Sequence, residues 1–265
     1  MMQAHINASQ SPKIPTQAQT NILVVDQLCL KLEQKHILKN ISFSLPNTGI
    51  TTLIGPSGAG KSSLLRCLNM LYPTWEGDIH IGGNNIKHWQ GGEDSLRKFV
   101  GLIAQKPAVF PASIAENVTF GLSRKQRKQD NSTLIHHCLN QAALWDEVKD
   151  RLNQSATTLS IGQQQRLCLA RALALQPTML LLDEPSASLD PRSKQLIEIS
   201  LKTLATNMPI LCVTHDLEQA KRLQGQLIFM CDGKIIETGN SQELLQNPKN
   251  IETREFLRWQ VCDCD

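Results

Sequence analysis

Apolar positions along the chain alternate between two periods, and the switches between them mark its elements. Short runs rich in Ile, Leu and Val at 22–25, 28–32, 41–45 and 50–54 read as strands. The turn residues Pro46-Asn47-Thr48-Gly49 separate the last two. A glycine-rich loop follows, then 61–71 takes helical spacing, and 78–81 and 100–104 return to strand. The middle of the chain changes character. Ser113-Ile114-Ala115-Glu116 has capping-box spacing and predicts a helix start. Residues 131–149 and 163–175 read as helices, the second with Leu167, Ala170, Leu173 and Ala174 recurring on one face. Past Pro177 the apolar run 179–182 ends abruptly at two carboxylates. A helix over 191–204, a strand over 209–213, a hairpin turn at Asp232-Gly233 and a helical tail over 243–259 complete the pattern. Strands alternating with helices predict an α/β fold with a mainly parallel sheet, and 105–176 reads as a helical insertion. Residues 1–20, rich in Gln, Ser, Thr and Pro, read as a disordered lead-in. No internal repeat is evident.

Composition narrows the function classes. A chain of 265 residues allows one large domain or two small ones. Lys plus Arg number 27 against 24 for Asp plus Glu, and the resulting +3 gives no nucleic-acid or membrane-surface footprint. Aromatics at 4% are too sparse for base-stacking platforms. The apolar runs fall short of the roughly 20 residues of a spanning helix. The first 20 residues lack the basic and apolar segments of a secretory signal. Six of the eight cysteines, Cys29, Cys67, Cys138, Cys168, Cys212 and Cys231, sit mostly within apolar stretches and read as packed, reduced thiols. Cys262-Asp263-Cys264-Asp265 has no second ligand pair and reads as a tail rather than a metal site.

Two motifs carry chemistry. Gly55-Pro56-Ser57-Gly58-Ala59-Gly60-Lys61-Ser62 has the G-x-x-x-x-G-K-[ST] spacing of a P-loop, with a strand before it and a helix after it. Glycines let successive backbone N–H groups turn toward phosphate oxygens, and the helix N-terminus adds the positive end of its dipole. Lys61 would reach the β- and γ-phosphates, and the Ser62 hydroxyl would join a Mg²⁺ shell. The second motif is Met179-Leu180-Leu181-Leu182-Asp183-Glu184. A buried strand there holds Asp183 where it can bind Mg²⁺, while Glu184 can polarise an attacking water.

Between them lies Leu159-Ser160-Ile161-Gly162-Gln163-Gln164-Gln165-Arg166, which resembles the Leu-Ser-Gly-Gly-Gln signature of ABC ATPases. The other marks of that family follow in order: Gln105 after the strand ending at Ala104, Ser188-Leu189-Asp190, and His215 after Val213-Thr214. The resemblance covers roughly 22–240. It implies a P-loop core over about 21–104 and 177–240, an antiparallel β subdomain, a helical subdomain over 105–176 and C-terminal helices over 241–260. It also implies ATP and Mg²⁺ as cofactors, and a homodimer that sandwiches two ATP head to tail. Ser160, Gly162, Gln163 and Asp190 would meet nucleotide across that interface, with Ser63 joining the P-loop residues on the phosphates. Gln105 would sense Mg²⁺ and water, and His215 would hold the γ-phosphate or the water.

Within the family, Gln105-Lys106-Pro107-Ala108-Val109-Phe110-Pro111-Ala112-Ser113-Ile114-Ala115-Glu116-Asn117-Val118 resembles ATPase subunits of phosphate importers. So does Ala142-Ala143-Leu144-Trp145-Asp146-Glu147-Val148-Lys149-Asp150. The resemblance implies a peripheral subunit on the cytoplasmic face of the membrane. Two permease subunits would dock between Gln105 and Asn117, a solute-binding protein would be reached only indirectly, and no nucleic acid would be bound. Importers of a different solute, such as an amino acid or a phosphonate, share much of this surface and form the competing reading. Two more classes stay open: a soluble ABC ATPase outside transport and a non-hydrolysing regulatory partner. The soluble class usually carries a second nucleotide domain, a coiled coil or a zinc insert, and none is evident in this sequence. Intact Lys61, Asp183, Glu184 and His215 argue against the non-hydrolysing class.

Three positions depart from the family. Ile161 replaces a glycine, and a β-branched residue there is costly if the backbone needs φ > 0 or close approach to nucleotide. The chain is therefore expected to hydrolyse ATP more slowly than, or differently from, its Ile161→Gly variant; equal turnover side by side contradicts this. Leu32 stands where an aromatic residue usually stacks on adenine, which removes π-stacking. Ser186-Ala187-Ser188 reverses the usual Ser-Ala order, so no cross-interface role carries over to Ala187.

Overall fold

A computed structural model describes residues 21–259. The 1–20 lead-in and the Cys262/Cys264 pair lie outside the described residues. In chain order the elements are β1 (Asn21–Leu32), β2 (Lys35–Pro46), β3 (Gly49–Ile54), α1 (Lys61–Leu68), β4 (Glu76–Ile81), β5 (Asn84–Asn85), α2 (Gly92–Phe99) and β6 (Val100–Ile103). A helical stretch follows: α3 (Ile114–Thr119), α4 (Arg124–Arg127), α5 (Ser132–Gln141), α6 (Trp145–Val148) and α7 (Ile161–Leu173). The chain then alternates through β7 (Met179–Asp183), α8 (Pro191–Ala205), β8 (Pro209–Val213), α9 (Leu217–Leu223), β9 (Gln226–Cys231), β10 (Lys234–Asn240), α10 (Ser241–Gln246) and α11 (Ile251–Trp259).

The strands form two sheets. One is four-stranded and antiparallel, in the order β2-β1-β4-β5. The other has the order β10-β9-β3-β8-β7-β6 and is parallel except for the β9–β10 pair. Parallel strands covered on both faces read as near-continuous apolar runs, which is the pattern of β7 and β8, while β3 buries Thr51 and Thr52 among its apolar residues. This order has one functional consequence. β3, β8 and β7 are consecutive neighbours, so the loops leaving their C-terminal ends open onto one edge of the molecule.

The α/β class agrees with the sequence pattern, and several boundaries do not. The runs 22–25 and 28–32 belong to one strand whose register slips around Gln27, which has φ 50°. Helix α2, which the pattern did not announce, starts after Gly91, buries Leu96 and packs Phe99 partly against the same core. The helix expected over 131–149 breaks at Ala143, where φ is 51°. The tail helix is two helices parted at Asn247-Pro248, since proline withdraws a backbone donor.

Five of the six cysteines in apolar stretches are free thiols, but Cys231 is disulfide-bonded. An apolar neighbourhood reports packing; pairing depends on where a second sulfur lies, which a local window does not contain.

Candidate nucleotide site

The loop between β3 and α1 bends because its glycines do. Gly55 has φ 152°, Gly58 84° and Gly60 97°, and Gly60 caps α1 from the left-handed region. Gly55 also passes hard against β9: a Cβ added there would lie 1.9 Å from the Met230 carbonyl oxygen. Gly55→Ala is expected to cost roughly 3 kcal/mol of stability by backbone strain and collision, measured by denaturant unfolding. Ala59 turns its methyl into the core, and its carbonyl accepts from the Gly233 N–H at 3.1 Å, so it anchors the loop from behind.

Lys61 is buried with its ammonium donating to the Gly55 and Pro56 carbonyls at 2.7 Å each. Burial lowers its pKa, against the opposing pull of Glu184 and Asp183. The result is a cation held in a dry loop with its head folded back, ready to exchange two carbonyls for an anion.

Ser62 Oγ donates to Asp183 Oδ1 at 2.9 Å, which joins the first turn of α1 to the end of β7. Burial raises the Asp183 pKa, and the Ser62 hydrogen bond offsets that only in part. Hydroxyl and carboxylate oxygens are hard donors of the kind Mg²⁺ selects, so the pair fits that ion. Next along the chain Glu184 occupies φ 46°, a strained conformation for a residue with a side chain, and its N–H bonds the Val213 carbonyl at 3.0 Å. Its carboxylate is held from two sides. Gln105 Nε2 donates to Glu184 Oε2 at 2.9 Å, and His215 Nδ1 lies 3.0 Å from the same oxygen. The loops after β6, β7 and β8 therefore meet at one carboxylate.

A cleft of about 640 Å³ lies over these groups, lined among others by Gly55, Ser57, Lys61, Ser63, Gln105, Glu184 and His215. Pro56, Gly58, Gly60 and Ser62 also line it, with Ile37 and Phe256 as apolar contributors. Leu32 packs against the core of the antiparallel sheet instead, and Ile37 is the aliphatic group at the cleft.

Ser160, Gly162, Gln163 and Asp190 are not among the cleft's lining residues. They meet at the starts of two other helices. Ser160 caps α7, accepting from the Gln163 N–H while the Gln163 side chain accepts from the Ser160 N–H. Asp190 caps α8 by accepting from the N–H groups of Arg192 and Ser193; hydrogen bonding by the Ser193 side chain first, then by the backbone N–H groups, holds its carboxyl below the usual range. Gly162 is pressed onto that cap: a Cβ there would sit 2.3 Å from Ser193 Oγ. Ile161 is the first residue of α7, in helical conformation without positive φ, and 54% exposed. The backbone strain expected for a β-branched residue is thus absent.

Sequence reasoning missed the groups that hold this helix in place. Glu147 of α6 receives Arg166 and Gln163, while Gln165 Nε2 donates to the Ala104 carbonyl at 3.1 Å, beside Gln105. Burial pushes the Glu147 carboxyl up, but the Arg166 and Gln163 hydrogen bonds outweigh it and hold it low. The stretches 142–150 and 159–166 contain both partners, but spacing alone does not pair them. Asn117 is a second organiser that the pattern does not reveal. Fully buried, it bonds the Phe110, Ala112 and Ser113 carbonyls and the Phe110 N–H, fixing the loop after Gln105. On that loop Phe110 stacks on Phe120 at 3.8 Å, and the Arg171 guanidinium covers its ring at 4.9 Å. A groove of about 330 Å³ runs beside them, lined also by Lys98, Lys106 and Cys168.

Comparison with known proteins agrees with this geometry. The family described as ABC transporter matches residues 38–187. The chain is 41% identical over 245 residues to phosphate import ATP-binding protein PstB 2 of Lactiplantibacillus plantarum, covering 90% of this chain and 98% of that protein. It is 41% identical over 247 residues to phosphate import ATP-binding protein PstB of Thermotoga maritima, covering 91% and 98%. Among solved structures, cbiO1 from Clostridium perfringens, part of the ABC transporter complex cbiONQ, superposes with a TM-score of 0.77 at 25% identity, over 91% of this chain and 97% of that one. A bacterial Atm1-family ABC exporter with ATP bound gives 0.78 at 26% identity, over 98% of this chain and 46% of that one. With a P-loop, a two-carboxylate strand end, a glutamine and a histidine converging on one cleft, the chain belongs to the ABC transporter family as an ATP-binding, ATP-hydrolysing subunit.

Proposed function

We propose that the chain is the ATPase of an importer of inorganic phosphate and works as a homodimer around two ATP, peripheral to the cytoplasmic face of the membrane. One observation carries the dimer: Lys61, Ser62, Glu184, Gln105 and His215 line one cleft, with Asp183 joined to it through its hydrogen bond from Ser62, while Ser160, Gly162, Gln163 and Asp190 stand outside its lining. A second copy turned head to tail supplies the missing half. The phosphate assignment is supported by the relatives' names and by the 98% coverage of their length.

In this reading Lys61 releases its loop carbonyls to grip the β- and γ-phosphates, and the P-loop N–H groups surround the same oxygens. Glu184 takes a proton from the water attacking the γ-phosphorus in line, as the bond to the ADP oxygen breaks. Gln105 and His215 keep the Glu184 carboxylate aimed, and His215 gives the γ-phosphate a second donor. Ser62 and Asp183, with Gln105, would hold Mg²⁺, which when bound neutralises phosphate charge. The free N–H groups at the start of the partner's α7 and its Ser160 hydroxyl meet the γ-phosphate from the other side.

The loop between Gln105 and Asn117, with its Phe110–Phe120 stack and adjacent groove, is the surface offered to two permease subunits. Among the described residues no helix is long and apolar enough to cross a membrane.

The test is co-purification from detergent extracts followed by phosphate uptake in a deletion strain. Two copies of this chain with integral-membrane subunits, and a phosphate-starvation uptake defect, are expected. Partners that import another solute, or soluble partners only, refute the assignment.

A further inference from the structure

Ile161 is more than half exposed although it lies between buried Leu159 and buried Gly162. Gly162 already abuts Ser193 on the α8 cap, and the Ser160–Gln163 box and the Gln163–Glu147 hydrogen bond hold the first turn of α7 in place. Cα–Cβ bonds tilt toward a helix's N-terminus, so a side chain at the first position reaches past the helix end, the way the free N–H groups point. The nucleotide cleft is poor in apolar cover. Loop amides, hydroxyls and charged groups dominate its lining, Ile37 and Phe256 are its aliphatic and aromatic contributors, and Leu32 is not among its lining residues.

Resting on the head-to-tail reading above, we infer that Ile161 is an apolar clamp acting in trans. When two copies close over ATP, each Ile161 leaves water and packs against the partner's nucleotide cleft. The added burial holds the closed dimer together and slows its reopening. The residue that replaces a signature glycine then exchanges turnover for a longer-lived closed state. Slower hydrolysis than in the Ile161→Gly variant follows from delayed opening rather than from backbone strain, because the backbone at Ile161 is ordinary helix.

The experiment measures dimer dissociation by sedimentation equilibrium with ATP and Mg²⁺ in a Glu184→Gln background, which blocks turnover. Adding Ile161→Ala is expected to weaken the dimer about tenfold or more, and Ile161→Val much less, in proportion to the apolar area removed. The thermal midpoint without nucleotide is expected to stay unchanged in the Ala variant, since the residue is exposed and alanine favours helix. An equal or tighter dimer in the Ala variant overturns the clamp and makes Ile161 a neutral or obstructive residue. A lowered nucleotide-free midpoint accompanying the weaker dimer overturns it too, in favour of a structural role. If the Glu184→Gln protein stays monomeric with ATP, the head-to-tail reading itself fails, and the clamp falls with it.

Discussion

Lys61→Ala is expected to reduce ATP hydrolysis by at least about 100-fold and to weaken ATP binding severely, because the lysine is the cleft's buried cation. Its ammonium is held by two loop carbonyls at 2.7 Å, and burial has already lowered its pKa. Its surroundings favour an incoming phosphate as the better partner. Removing it takes away the charge opposite the γ-phosphate and leaves the Gly55 and Pro56 carbonyls facing the ligand. Repulsion between those carbonyls and phosphate adds to the loss of attraction. Steady-state hydrolysis together with titration calorimetry measures both effects. Retained binding with unchanged turnover contradicts the role given to this loop. The fold is expected to survive, since α1 packs through Leu64, Leu65, Cys67 and Leu68 rather than through the lysine.

Glu184→Gln separates binding from chemistry. The amide keeps the size of the side chain and an oxygen that can accept from Gln105 and His215, so ATP affinity is expected to hold. What disappears is the carboxylate that takes the proton from water. General-base loss at such a site lowers the rate by roughly 100- to 10,000-fold. Rapid-quench measurement of phosphate release checks this. Near-normal release would move the base elsewhere in the cleft, with His215 the next group in reach.

The site was legible in the sequence wherever geometry is local. The P-loop fits because its glycine spacing is itself the conformational requirement, and the observed φ values at Gly55, Gly58 and Gly60 are the ones glycine is needed for. The Ser113 capping box was readable for the same reason, since donor and acceptor lie three residues apart. The carboxylates at the end of β7 could be placed because the upstream P-loop calls for a metal-side carboxylate at the end of a buried strand, and this apolar run ends in one. Contacts that join distant segments were not readable. Nothing within the reach of a local window couples His215 to Glu184, Gln165 to Ala104, or Cys231 to its sulfur partner. Sheet order supplies the first, by laying β8 beside β7. The strain at Glu184 was likewise invisible, since the contact that accompanies it is to the Val213 carbonyl of that neighbouring strand. The break at Ala143 has no glycine or proline to announce it; the buried Arg166 reaches the Ala143 carbonyl there.

Ile161 illustrates a different limit. Its departure from the signature was plain in the sequence, but the reason given for a penalty, a strained backbone, is not met by a residue in ordinary helix at the start of α7. Its exposure on a fixed platform is information only three dimensions hold.

The central claim is that one chain carries two half-sites and needs a second copy to complete each. The most direct measurement is the mass of the Glu184→Gln protein in solution with ATP and Mg²⁺, compared with ADP, by sedimentation equilibrium. A dimer with ATP that reverts to monomer with ADP is the predicted result. A protein that remains monomeric with saturating ATP would contradict the account.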